Sequence, residues 1–184
     1  NHELQAHQLE QGPLRGAGAP EPPAYDRNPD GVPLPGGTTT LIYDLRSNRV
    51  VRQHVSLLGT IRNCAGGTTP WGSWLTCEED LTKVGTRGAG KDHGWVFEVP
   101  ATARTAVDPV PLKALGRFNH EAAAIDPRTG VVYLTEDRND GLLYRLLPNA
   151  RGELTILGRA RGSRSPASIL TPTSDARPDL RESR

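Results

Sequence analysis

Methionine is absent from all 184 residues, and the chain opens Asn1-His2-Glu3-Leu4 with no charged-then-apolar leader. A piece of a longer protein is therefore expected, and its own residues carry no targeting signal to read. Cysteine is nearly absent: Cys64 and Cys77 are too few for a disulfide framework. No apolar stretch approaches the roughly 18 residues of a membrane helix, so no membrane span is expected. Neither sign of charge is in excess: 22 Lys and Arg stand against 21 Asp and Glu, a net charge of +1. That balance gives no electrostatic ground for nucleic acid or a membrane surface as partner. Also lacking are a Gly-x-Ser-x-Gly elbow, a Gly-x-x-x-x-Gly-Lys loop and a His-Glu-x-x-His helix, which argues against serine hydrolases, P-loop enzymes and zinc proteases of that type.

What the chain does have is 20 Gly and 16 Pro, with hydrophobic residues at only 35%. That mixture suits short strands joined by turns better than a helical bundle. Residues 1–37 read as a strand end followed by a long Gly/Pro-rich loop. From Thr38 the pattern becomes β-branched and aromatic. Thr39 to Leu45 and Val50 to Leu58, around the turn Arg46-Ser47-Asn48, predict a hairpin. Further strands are expected at Trp71–Cys77, Gly94–Val99, Pro111–Phe118, Glu121–Ile125, Val131–Thr135, Gly141–Leu147 and Leu154–Arg159. Asp126-Pro127-Arg128-Thr129-Gly130 is a turn, with Pro fixing φ and Gly supplying a positive one. Residues 161–184, rich in Arg, Ser and Pro, read as a disordered tail.

Two stretches overlay as a repeat. Trp74 to Asp80, His93 to Val99 and Leu112 to Arg117 match Val132 to Asp137, Asp140 to Leu146 and Leu154 to Arg159. The shared order is a strand, an acidic end, a Gly turn, an aromatic strand and a short strand ending Leu-Gly-Arg. Such a period suggests propeller blades. The fold expected over 38–160 is all-β: a partial β-propeller of about two to three antiparallel four-stranded blades, too few to close a ring.

Acidic residues recur at the strand ends: Glu3, Glu78 with Glu79, Glu121, and Glu136 with Asp137. Carboxylates converging on one channel mouth repel unless protonated or bound to cations, and hard cations accept many oxygen ligands. A lone carboxylate in such a place would simply be solvated. Cys64 sits in Asn63-Cys64-Ala65-Gly66-Gly67-Thr68-Thr69, where the glycines permit a tight turn or a close approach to a ligand. A thiolate among carboxylates suits a transition metal such as iron beside harder ions, or Cys64 is a small residue buried in a turn. Cys77 alternates away from Glu78 and reads as a packed thiol. Arg62, Arg117 and Arg138 are candidates to hold an anion, and Thr68 and Thr69 could donate hydroxyls to a phosphate. Among 22 Lys and Arg a surface role is the commoner one for any single arginine, and turn packing is the simpler account of the threonines. His120, beside Glu121, is the histidine favoured for a role.

Three segments resemble the PhoX family of bacterial alkaline phosphatases: Asn63 to Glu79, Gly116-Arg117-Phe118-Asn119-His120-Glu121-Ala122, and Tyr133-Leu134-Thr135-Glu136-Asp137-Arg138. The likeness covers residues 38 to about 160 plus Asn1-His2-Glu3, in the family's order. It implies a β-propeller phosphatase hydrolysing small-molecule phosphate monoesters at a cluster of iron and calcium ions. No protein nucleophile is implied beyond the metal site. It further implies Cys64 as an iron ligand and Glu79, Glu121 and Glu136 as metal ligands, with Glu78 and Glu3 added by placement. Export by the twin-arginine route is implied too, to the periplasm or beyond the cell. A fragment of this length is expected to be inactive or poorly folded alone. The competing expectations are a calcium-dependent propeller lactonase or esterase, which would not need Cys64, and a non-catalytic propeller binding scaffold.

Overall fold

Threonine, valine and isoleucine on either side of a polar turn build the first two strands. In the computed structural model, which describes residues 1–9, 22–148 and 171–172, these are β1 (Gly36–Asp44) and β2 (Arg49–Thr60). They pair antiparallel with three register shifts. The Asp44 carboxylate accepts from Arg46 N at 3.0 Å and Ser47 Oγ at 2.6 Å, which closes the turn.

The second sheet contains β3 (Asn63–Thr68), β4 (Ser73–Glu78) and β5 (Val96–Pro100), hydrogen-bonded in that order. The third contains β6 (His120–Ile125), β7 (Val132–Glu136), β8 (Leu143–Leu146) and the two-residue β9 (Thr171–Pro172). The pairings are antiparallel, each strand beside the next in sequence. The architecture is all-β, a partial propeller of blade-like meanders, with two, three and four strands rather than four in each. Among the described residues no helix is long and apolar enough to cross a membrane.

Two expectations need correction. Pro111 to Phe118 is not a strand: one bridge joins Pro111 to Phe97, and a 3-10 turn follows at Lys113–Leu115. Pro109 and Pro111 lack the N–H groups that a ladder requires. Conversely, Asn63–Thr68 is a strand and not a turn. Its glycines serve close packing between strands: a Cβ on Gly66 would lie 1.9 Å from Leu75 O, and one on Gly67 would lie 1.9 Å from Ala123 O. The expected strand Leu154–Arg159 lies outside the described residues, as does the expected tail apart from residues 171–172.

The described part of the long loop is well anchored. Tyr25 N donates to Leu58 O and Asp26 N to Gly59 O, and Leu34 is buried. The main core lies between the second and third sheets, where Leu75, Cys77, Val96, Leu115, Phe118, Val132 and Leu134 pack together. Cys77 is fully buried there, and the lack of solvation pushes its thiol up to about 12. This core holds the sheets face to face and so fixes the strand ends that carry the polar residues.

Candidate metal centre

The chain reverses between β2 and β3 at Arg62, whose φ of 45° is rare for a side-chain-bearing residue. Arg62 N donates to Leu4 O at 2.9 Å, and Arg62 O accepts from Glu79 N at 3.0 Å. The reversal thereby ties the N-terminal segment to the end of β4. Asp137 N donates to Asn119 O at 3.0 Å, which joins the end of β7 to the residue before β6. These backbone ties bring five side chains from five stretches of chain into one place.

Ligand atoms of Glu3, Cys64 and Glu79 lie within 4.8 Å of one another, as do those of Glu79, Glu121 and Asp137. Glu79 belongs to both groups and is only 3% exposed. Cys64 Sγ donates to Glu121 Oε1 at 3.3 Å, which links the groups a second time. Arg62 bridges the first group, with Nε 3.5 Å from Glu3 and Nη2 3.3 Å from Glu79.

The electrostatics are those of crowded acids. Burial, followed by the hydrogen bond to Asp137, raises Glu79 to about 7, although the Arg62 charge pulls the other way. Burial also raises the Cys64 thiol to about 12, helped by its hydrogen bond to Glu121. Two carboxylates that must share a proton offer a cation a ready place, since a cation can replace that proton. One sulfur and four carboxylates fit a mixed centre, the sulfur suiting a softer transition metal and the oxygens a hard ion.

Not every expected residue comes to this place. Glu78 points into the interior and is fully buried. Its two oxygens accept from Ile61 N (2.9 Å), His93 Nδ1 (2.7 Å), Gly94 N (2.8 Å) and Trp95 N (3.1 Å), so the carboxylate is committed to the fold. Glu136 accepts from Tyr144 Oη at 3.0 Å and stands outside both groups. Its neighbour Asp137 joins them instead. Arg138 pairs with the exposed Asp140 at 3.3 Å. Thr68, at the far end of β3, lines a separate cleft with Thr38, Ser73 and Trp74. Thr69 closes a turn by accepting from Ser73 N. Arg117 donates to Leu81 O and Thr82 O.

His120 is a core residue. Its ring lies 3.6 Å from that of Phe118, Nε2 donates to Gly116 O, and burial pushes it down to about 4. His93, which the sequence did not single out, is fully buried between two carboxylates: Nδ1 is 2.7 Å from Glu78 and Nε2 is 3.0 Å from Asp26. Each ring nitrogen faces a carboxylate oxygen, an arrangement that favours the imidazolium, with both nitrogens donating. Burial alone would lower its proton affinity, but the bonds and charges of Glu78 and Asp26 outweigh that and raise it.

A cleft of about 470 Å³ opens beside Glu79, walled by Arg62, the turn Asp80–Arg87 and Asn119. The family model described as alkaline phosphatase PhoX matches residues 35–161. Among solved structures, Pseudomonas fluorescens PhoX in complex with vanadate, a transition state analogue, is similar at 24% identity and a TM-score of 0.43. That similarity covers 66% of this chain and 30% of that one. No curated protein matches the sequence.

Proposed function

Because this chain belongs to the alkaline phosphatase PhoX family, over residues 35–161, we propose that it carries part of a metal centre for hydrolysing small-molecule phosphate monoesters. The observation that carries this reading is the shared position of Glu79 in two adjoining ligand groups, one of which contains Cys64. Calcium would be held by Glu79, Glu121 and Asp137, and iron by Cys64 with Glu3 and Glu79. When bound, such ions neutralise phosphoryl oxygens and make an oxygen nucleophile available at moderate pH.

The chain's own residues do the positioning. Arg62 holds the Glu3 and Glu79 carboxylates in place, and its half-exposed guanidinium keeps N–H groups for a phosphoryl oxygen. Asn119 lines the same cleft. Participation of Cys64 favours this reading over a calcium-only lactonase, which has no use for a thiol.

The chain spans 30% of the solved relative's length, so turnover by this chain alone is expected to be weak or absent. The same reading takes the working enzyme to be exported to the periplasm or beyond the cell. Elemental analysis after expression in iron- and calcium-containing medium is the direct test. Iron and calcium are expected in the chain, with iron lost in Cys64→Ser. Calcium without iron, or iron unchanged in Cys64→Ser, would sink the mixed centre. In the enzyme that contains this sequence, hydrolysis of p-nitrophenyl phosphate should stop on adding a chelator.

A further inference from the structure

The turn between β4 and β5 forms one wall of the cleft beside Glu79, and it is built rigidly for a surface segment. Asp80 Oδ1 accepts from Thr82 N at 2.7 Å and from Thr82 Oγ1 at 2.5 Å. Further on, Gly85 N donates to Ala89 O, Thr86 N to Lys83 O and Ala89 N to Thr86 O. Arg87 has a φ of 51° and turns its guanidinium back to Asp80 at 3.4 Å. From beneath, Arg117 pins the wall through Leu81 O and Thr82 O.

That wall presents more positive than negative charge to the cleft. The lining cations are Arg62, Lys83 and Arg87, against the carboxylates Glu79 and Asp80. Both carboxylates are already engaged, Glu79 by Arg62 and Asp80 by Thr82 and Arg87. The ammonium of Lys83 and the carboxamide of Asn119, by contrast, make no hydrogen bond or ion pair among the described residues. Lys83 is exposed, and its uncommitted ammonium on an ordered turn lines a cleft beside the centre that takes the phosphoryl group, where it is placed to meet a second negative charge on the same ligand.

We infer that this cleft is a second anion subsite, in which Lys83, assisted by Arg87, selects phosphate esters whose alcohol part carries a further carboxylate or phosphate. The inference rests on the phosphatase reading for the ester itself. The ordered turn fixes the base of the Lys83 side chain in advance, so less ordering is needed when the ligand binds.

Calorimetric binding to the full chain, prepared with its metals, tests this with three probes that cannot be hydrolysed. They are ethylphosphonate, 3-phosphonopropionate and propane-1,3-diphosphonate. Both probes with a second anionic arm should bind about two- to fivefold more tightly than ethylphosphonate, as one added partly exposed charge pair allows. A larger gain for one of the two would identify the second group as carboxylate or phosphate. The preference should vanish in Lys83→Ala and invert in Lys83→Glu. Circular dichroism of the variants guards against loss of fold. Equal affinity for the three probes, no binding of any of them, or a preference that survives in folded Lys83→Ala overturns the subsite. Metal content of the same samples reads the phosphatase proposal separately. A preference without bound metal removes that proposal and leaves the subsite, and bound metal without a preference does the reverse.

Discussion

Glu79 is the residue on which two ligand groups depend, and its two forms should behave differently. Below about pH 7 the metal-free chain keeps Glu79 largely protonated through burial and the bond to Asp137, so in that range Glu79→Gln should cost little stability. Metal affinity should fall at least about tenfold, because a shared ligand is lost. Thermal melts with and without added calcium check both halves. A large loss of stability in the metal-free variant would mean that Glu79 holds the fold and not the ion. At this scale the sequence pointed to the acidic strand ends without saying which carboxylate of a pair turns to the cluster. Glu3, Cys64, Glu79 and Glu121 come together, yet Glu78 and Glu136 turn elsewhere. Neighbours on an extended chain face opposite ways, so in each acidic pair only one member can reach the centre. Composition does not say which. The pairing of Glu78 with a buried histidine could be seen only once residues 26, 78 and 93 were folded together.

Among the elements, the hairpin of β1 and β2 and the turn after Ile125 were legible because β-branched runs and Asp-Pro-x-Thr-Gly act locally. The strand β3 was hidden for the opposite reason. Asn63–Thr68 has poor strand propensity and is extended because its neighbours demand a thin backbone. Gly67→Ala should therefore destabilise the chain by about 3 kcal/mol or more, since the methyl group would meet Ala123 O. A urea titration measures this. An unchanged midpoint would show that the sheets can separate cheaply there. The Pro111–Phe118 segment failed as a strand through its prolines, a signal that was present but outweighed by its apolar residues.

Across the whole molecule, ionisable groups set a pH window for stability. His93 has a raised proton affinity, so its contribution is fully present below the ordinary histidine value of 6.5 and is lost as pH rises through its folded value. His120 is the reverse. Its contribution is present above 6.5 and is lost as pH falls toward about 4, at up to about 1.4 kcal/mol per pH unit. Tyr25, raised to about 12 by burial and by the Glu78 charge, adds a term that is present below 10 and lost between there and 12. Glu79, raised to about 7, offsets His120, since its contribution is lost between 4.5 and 7. Metal-free stability should thus be nearly level between about pH 4.5 and 6.5 and fall on both sides, as denaturant midpoints across pH 4–11 would show. His93→Ala would leave Asp26 and Glu78 without their counter-charge and should cost about 3–5 kcal/mol. A flat profile, or a stable His93→Ala, would contradict the clamp. The all-β class and the blade-like meanders were readable from turn spacing. The strand counts of two, three and four were not, because strand pairing depends on partners distant in sequence.

The thin backbone of β3 also shapes how this sequence can vary. At Gly66 and Gly67 every alternative amino acid adds atoms where carbonyl oxygens already lie, so each position has one permitted letter. Cys64, two residues earlier, is part-buried and bonds Glu121, so folding constrains it less tightly than it does the glycines. A survey of tolerated substitutions scored for folding alone would therefore show a sharp gap at the two glycines and more freedom at the cysteine. Scored for metal retention, both places would close. One short strand thus holds two kinds of irreplaceable position, and the assay chosen decides which of them is seen.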